Sequence, residues 1–424
     1  MFNIYRFLTI FFFPLFLIII FLRKFKGKED QFRYKEKVFS SSFNIKKNER
    51  KKLIWIHAAS IGETLSVVPL IKDIIKKKPD LEFLITTVTL SSANLVNKEF
   101  KNSKYIKHRF FPLDNPYLIK KFLDGWKPNF VMFVDSEIWP NFLIEIKKRS
   151  ILLVLINGRI TKKTYKRWKI FNNLSYKVFN SFDLCLSASK ESVEYFKNLN
   201  VKNVKYLGNL KFFPDNKIKK ISSENEKVLN NYKFWCAAST HRSEEQFCLR
   251  THIKIKSIYN NLLTIIVPRH INRVKEISNI CNSFKLNFQI LNENEHIKNG
   301  VDILIINSFG NLPMYYEHCK SVFIGKSTLK KLELESGQNP IEAAILGCKI
   351  YHGPYVKNFN EIYEYLNILK ISKKIRNEDE LFEELIEDLK KPKEVNINNL
   401  NIIEQYGRKI LENTTYELLK ISKL

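Results

Sequence analysis

Short, uninterrupted apolar runs alternating with amphipathic stretches constrain the fold of this chain more than any other feature of its sequence. LIWIHAA (53–59) is followed by SIGETLSVVPLIKDIIKK, whose apolar residues recur at helical spacing, and LEFLITTVT (81–89) precedes SSANLVNKEF. FVMFVDS (130–136) precedes the Pro140 segment, ILLVLING (151–158) a long basic helix, and LCLSAS (184–189) the segment KESVEYFKNL. Strands that are apolar on both faces must be covered on both faces, so this order predicts a doubly wound parallel sheet with helices on either side. FWCAAST (234–240), LLTIIVPRH (262–270), VDILIIN (301–307), SVFIGKS (321–327) and CKIYHG (348–353) repeat the pattern. Between the two series lies a Lys-, Ser-, Asn- and Glu-rich stretch with few apolar residues, which reads as a linker. The expected architecture is therefore α/β: two Rossmann-like lobes, 51–215 and 232–395, joined by a linker over 216–231, facing a central cleft and followed by a helix over 396–424. Ligands of open parallel sheets bind beyond the carboxyl ends of the strands, so the residues just after each strand are the ones to inspect.

Ahead of the first lobe, FLTIFFFPLFLIIIFL (Phe7–Leu22) has no charge and a single polar side chain, Thr9. It is close to the shortest length that crosses a bilayer, and Pro14 can kink it. No small-residue cleavage site follows; Arg23, Lys24, Lys26 and Lys28 do. Residues 1–25 are thus expected to be an uncleaved membrane-anchor helix, residues 26–50 a basic connector, and the lobes cytoplasmic by the positive-inside rule. The cationic cluster suits anionic headgroups.

Composition excludes some classes. An apolar share of 45% with 27% charged residues rules out wholesale disorder, and 71 Lys+Arg against 43 Asp+Glu, a net charge of +28, draws the chain to polyanions without choosing among nucleic acid, membrane and phosphorylated substrates. The cysteines at 185, 236, 248, 281, 319 and 348 contain no CxxC pair, which argues against a zinc knuckle or a disulfide framework.

Several strand ends carry chemistry. In Ala59-Ser60-Ile61-Gly62-Glu63, Ser60 can cap the helix, Gly62 lets a substrate approach the backbone, and Glu63 projects from the first turn, where a carboxylate could accept a hydroxyl proton. Ser-x-x-Glu is also an ordinary capping box. Asp135-Ser136-Glu137-Ile138-Trp139-Pro140-Asn141 sets two acids after a buried strand, beside a shaped wall. Arg159, with Lys162, Lys163, Lys166, Arg167 and Lys169 beyond it, could meet a phosphorylated acceptor or simply form a solvated helix face. Ser239-Thr240-His241 and Pro268-Arg269-His270 end successive strands in a setting that favours an anion. In Ser336-Gly337-Gln338-Asn339-Pro340-Ile341-Glu342, Asn339 is a candidate cap and Glu342 a candidate for sugar hydroxyls.

In this order HAASIGE, DSEIWPN, NGRIT, GNLKF, AASTHRSEE, PRH and SGQNPIEAAILG resemble the Kdo transferases (3-deoxy-D-manno-octulosonic acid transferases), over about residues 50–365. The resemblance implies a GT-B glycosyltransferase that is inverting and metal-independent, with no cofactor, moving Kdo from CMP-Kdo to the lipid A precursor (lipid IVA). It implies a place at the cytoplasmic face of a bacterial inner membrane, with that anionic membrane and no nucleic acid as partner. By the same resemblance Glu63 is the general base and Glu137 the second essential acid. Ser60, Gly62 and Arg159 meet the acceptor, and Lys211 of GNLKF lies where the lobes meet. Ser239, Thr240, His241, Arg269, His270, Gly310, Asn339 and Glu342 serve the donor. One departure bears on the donor: the family's Asp-x-x-Gly-Glu segment is here Asn307-Ser308-Phe309-Gly310-Asn311, with amides in place of the acids. A sugar-nucleotide epimerase of similar fold would use a nucleotide site and acids but leaves the apolar segment without a role. A non-enzymatic protein that binds anionic membranes explains the charge but not the acids at strand ends.

Overall fold

The computed structural model describes residues 1–213, 220–308 and 310–423. They form two compact units, one of residues 1–213 with 406–423 and the other of residues 220–405.

The first unit is built on a seven-stranded, all-parallel sheet. Its strands are β1 (Leu53–His57), β2 (Glu82–Thr87), β3 (Ile106–Phe110), β4 (Phe130–Val134), β5 (Leu152–Gly158), β6 (Leu184–Ser187) and β7 (Val204–Tyr206). The order β3-β2-β1-β4-β5-β6-β7 reverses between β1 and β4, where the crossovers leave for opposite sides of the sheet. Every residue of β1 and β4 is buried, and Trp55, Phe122, Phe133 and Phe142 pack on one another at centroid distances of 5.0–6.2 Å. Rings on both strands and both neighbouring helices thus form one aromatic core.

The second unit repeats the scheme with β8 (Lys233–Thr240), β9 (Leu262–Pro268), β10 (Phe288–Leu291), β11 (Ile303–Ile306), β12 (Ser321–Ile324), β13 (Lys349–His352) and β14 (Ser372–Lys374). The order is β10-β11-β9-β8-β12-β13-β14, all parallel, and its reversal lies between β8 and β12. Trp235, Phe323 and Tyr351 anchor its core.

Three segments differ from the sequence-based expectation. The apolar segment is not one helix: Phe2–Phe11 and Phe13–Phe25 are separate helices bent by 53°, and no single helix among the described residues is long and apolar enough to cross a membrane. Pro14 sits in the first turn of the second helix, where a missing N–H costs nothing but where the ring cannot continue a preceding helix. The connector 26–50 is docked on the sheet edge. Glu36 accepts the Phe110 N–H at 2.8 Å and the Arg33 guanidinium at 2.8 Å, Lys37 donates to the Val88 carbonyl at 2.8 Å, and Val38 and Phe43 are buried. Of the linker, residues 216–219 lie outside the described residues, and Ser223–Leu229 is a helix of the second unit. Asn225 holds it there through the Glu295 carbonyl (3.1 Å) and the Ile297 N–H (2.8 Å).

The final helix, Ile397–Ser422, packs its later turns on the first unit. Thr415 donates to Asp73 at 2.6 Å and the Tyr406 ring meets Phe212 edge-on at 4.9 Å. A Cβ at Gly407 would stand 2.5 Å from the Phe212 carbonyl oxygen, so this crossing requires glycine.

Candidate active site

Glu63 and Glu137 follow β1 and β4, the two strands on either side of the reversal in the first unit. Ser60 caps the helix Ile61–Lys77, its Oγ accepting from the Glu63 N–H at 3.4 Å while donating to Glu63 Oε1 at 2.8 Å. Glu63 Oε2 accepts the Ala59 N–H at 2.8 Å. This is the geometry of a capping box, yet the carboxylate does not titrate as an ordinary cap would. Burial pushes it up, the negative charges of Glu137 and Asp135 push further, and against the hydrogen bonds from Ser60 and Ala59 it reaches about 7. A carboxylate poised there suits proton abstraction near neutral pH. A Cβ at Gly62 would meet nothing within 4 Å, so packing does not demand glycine there and the space is open to a ligand.

Glu137 is held in the opposite state. Burial would raise it, but hydrogen bonds from His57 Nε2 (3.2 Å) and the Trp139 indole (2.7 Å) outweigh burial and keep it low. His57 ends β1, is fully buried, and stacks on Phe111 at 3.7 Å. Its Nδ1 lies 3.1 Å from the Thr86 hydroxyl and 3.2 Å from the Thr86 carbonyl oxygen, so both ring nitrogens have partners. Two neighbouring carboxyls thus diverge, one proton-accepting near neutrality and one fixed as an anion. If Glu63 is the base, only its ionised form works: kcat/KM is expected to fall tenfold per unit as pH drops below about 7 and to level off above it. A flat profile from pH 6 to 8, with substrate protonation excluded, would remove Glu63 from that role.

Asp135, buried and at φ 59°, is the hub of the next three motifs. Burial raises its carboxyl, but Lys211 Nζ at 3.2 Å and Arg159 Nε at 3.3 Å overcome burial and hold it low. The Leu210 N–H donates to the Asn157 side chain at 2.9 Å, so the segment carrying Lys211 is seated on the end of β5. Lys211 belongs to the first unit, where it pairs with Asp135. Lys162, Lys163, Lys166, Arg167 and Lys169 are exposed along the helix Lys162–Ile170.

In the second unit, Ser239, Thr240 and His241 end β8, and Arg269 and His270 follow the adjacent β9, with the Arg269 N–H on the Thr240 carbonyl at 3.1 Å. The His241 and His270 rings meet edge-on at 5.9 Å. Burial lowers His241, against the raising effects of the Ser239 carbonyl and Glu244. The Thr240 hydroxyl is buried with no hydrogen-bond partner among the described residues. Glu342, half-buried and raised by burial, makes no hydrogen bond or ion pair among them. Glu342, which keeps some exposure, is a polar group available to a ligand. The Asn339 side-chain oxygen accepts the Ile341 N–H at 3.3 Å, although Pro340 is the N-cap of that helix; Gly310 is exposed at φ 75°; and the Asn311 amide donates to Ser308 at 2.8 Å. Phe309 lies outside the described residues.

Two side chains that assemble these sites were given no role in the sequence reading: His57, within HAASIGE, and Glu244, noted there only as following Ser239-Thr240-His241. The latter, fully buried, accepts the His241 and Lys326 N–H groups on Oε2 (2.9 and 2.7 Å) and the Ser327 and Thr328 N–H groups and the Thr328 hydroxyl on Oε1 (2.9, 3.1 and 3.0 Å). It therefore ties the end of β8 to the end of β12 across the sheet's reversal. Ser239, Ser243 and Lys326 around it all have positive φ, of 54°, 81° and 56°. A Cβ at Gly325 would come within 2.7 Å of the carboxylate.

The family model described as 3-deoxy-D-manno-octulosonic-acid transferase (kdotransferase) matches residues 33–213. The 3-deoxy-D-manno-octulosonic acid transferase of Rickettsia bellii is 30% identical over 422 residues, 97% of each chain. This chain belongs to the Kdo transferase family. The Haemophilus influenzae member is 26% identical over 86% of this chain and 83% of its own, and the Aquifex aeolicus member 27% over 82% and 89%. As a Kdo transferase the chain is a glycosyltransferase of lipopolysaccharide biosynthesis, which sets aside the epimerase and non-enzymatic readings. Among solved structures, Anabaena HepE in complex with UDP-glucose aligns with a TM-score of 0.59 at 15% identity, covering 87% of this chain and 99% of its own. A putative UDP-N-acetylglucosamine 2-epimerase from Listeria monocytogenes aligns at 0.55 and 12%, covering 85% and 91%. Those likenesses are of fold, an α/β GT-B-like architecture with two parallel sheets.

Proposed function

We propose that this Kdo transferase takes Kdo from CMP-Kdo and adds it to the lipid A precursor, lipid IVA, with inversion, at the cytoplasmic face of a bacterial inner membrane. The observation that carries the reading is Glu63: a carboxylate at the reversal of the first sheet, raised to about 7 by burial and by its anionic neighbours. In this reading Glu63 takes the proton of the acceptor hydroxyl as its oxygen bonds to the anomeric carbon of Kdo, and CMP departs with the electron pair of the broken bond. Ser60 and Gly62 border the attacking hydroxyl. Arg159, Lys211 and the exposed lysines beyond them offer positive charge to an acceptor that carries phosphates. Glu137, kept ionised by His57 and Trp139, completes the acid pair.

On the donor side, Ser239, Thr240, His241, Arg269 and His270 take the CMP phosphate and nucleoside. Gly310, Asn339 and Glu342 complete that set, with the unpaired Glu342 carboxylate directed to hydroxyls. One leaving phosphate needs neutralising, and the reading assigns that to protein cations with no metal or cofactor. The exposed apolar helices at residues 2–25, with Lys24 in the last turn and Lys26 and Lys28 beyond it, support attachment to an anionic membrane.

The test is transfer from CMP-Kdo, generated in the reaction, to tetraacylated lipid A precursor by the purified full chain in the presence of EDTA, with products resolved by mass. A product heavier by one or more Kdo units is expected. No product from folded protein that binds CMP would overturn the donor and acceptor assignment.

A further inference from the structure

Both apolar helices rest lengthwise on the first unit. Phe2, Tyr5 and Thr9 on the first helix, and Phe13, Leu17 and Ile20 on the second, form one protected stripe at three- to four-residue spacing; Phe2, Tyr5 and Phe13 touch the aromatic core. The opposite stripe, Phe7, Phe11, Leu15, Ile18 and Leu22, follows the same spacing and is 49–63% exposed. Polar contacts fix the protected side. The Tyr5 hydroxyl donates to Asp114 at 2.8 Å and the Asn141 side-chain amide to the Thr9 hydroxyl at 3.1 Å. Asp114 is itself buried and accepts the Asn141 and Phe142 N–H groups at 3.1 and 3.0 Å, at the start of the helix Pro140–Lys148 that follows Glu137.

A spanning segment is incompatible with this arrangement. At 1.5 Å per residue the first helix reaches only about 15 Å, half of a hydrocarbon core of about 30 Å. To cross, the segment would have to straighten its 53° bend and part Tyr5 and Thr9 from Asp114 and Asn141, carrying Arg6 to the far side. Lying flat, it keeps every polar contact and offers lipid a continuous apolar stripe. Exposed Lys26 and Lys28 follow at its end, at the level of anionic headgroups.

We infer that residues 2–25 are a bent pair of helices lying in the plane of one leaflet, latched to the catalytic unit through Tyr5–Asp114 and Thr9–Asn141, so that the amino terminus stays on the same side of the membrane as that unit. The inference rests on the membrane attachment proposed above. Its test uses a favourable property of the chain: all six native cysteines are buried, so single cysteines can be added to the full protein. Asn3→Cys and Asn282→Cys, both at exposed positions, are treated with an impermeant maleimide in inverted inner-membrane vesicles and in cells with a permeabilised outer membrane. Labelling of both from the same face is expected. Labelling of Asn3→Cys from the opposite face, or from neither, overturns the inference. Flotation with the vesicles is scored first: protein that stays in the soluble fraction overturns membrane attachment and this inference with it, while Kdo transfer in detergent reports separately on the chemistry.

Discussion

Glu63→Gln is expected to lower kcat for Kdo transfer by about 10²- to 10⁴-fold, with KM for donor and acceptor nearly unchanged. The size follows from what the substitution removes and what it leaves. Glutamine is isosteric: its carbonyl can accept the Ala59 N–H and its amide can donate to Ser60 Oγ, so both contacts that close the first turn persist. What is lost is the capacity to take a proton at the point where burial and the charges of Glu137 and Asp135 have raised the carboxyl to about 7. A purely structural cap behaves differently, because its loss costs about 1 kcal/mol of stability and leaves turnover intact. The two readings therefore separate in one experiment with two readouts, steady-state kinetics and the thermal midpoint. A variant with wild-type turnover would return Glu63 to a capping role, and an unchanged midpoint would show that both capping contacts persist.

How far this site could be read from residues alone follows from the sheets. Strands β1, β4, β5, β8, β9, β11, β12 and β13 lie inside their sheets, covered on both faces, and their apolar runs announced them. The positions of Glu63, Glu137, His241 and Arg269 near the carboxyl ends of strands were legible because each lies within a few residues of the end of such a run. The strands that escaped are β3, β7, β10 and β14, and each is an edge. An edge strand can be short and charged, and Ile106–Phe110, with Lys107, His108 and Arg109 in its middle, has no apolar signature to find. The roles of the assembling residues escaped for another reason. His57 reads as the last residue of a strand and Glu244 as the first residue of a helix; their partners Glu137 and Lys326–Thr328 are 80 and 82–84 positions away in sequence. The connector 26–50 reads from sequence only as basic because charges dominate it, whereas Glu29, Glu36 and Lys37 are buried by pairing with one another, Arg23 and Arg33.

Glu244→Ala is expected to cost the second unit about 4 kcal/mol, placing it among the exceptional single substitutions. The carboxylate satisfies four backbone N–H groups and one hydroxyl in a place from which water is excluded. Each buried donor left unpaired costs about 1–3 kcal/mol, and water entering the vacated space can recover only part of the total. Charge and shape are separable here. Glu244→Gln retains the volume but turns an NH₂ group toward donors, so a smaller loss of about 2 kcal/mol is expected, whereas a residue that merely filled space would tolerate the exchange. Peptide-resolved hydrogen exchange locates the effect: the amides of His241 and Lys326–Thr328 should lose protection together in the alanine variant, because one side chain holds both loops. CMP affinity should fall in parallel, since the loop ends carrying His241 are no longer fixed at positive φ across from β12. If those amides stay protected while CMP affinity falls, Glu244 contacts the nucleotide directly; if neither changes, the loops are held by their own turns and the carboxylate is not what joins β8 to β12.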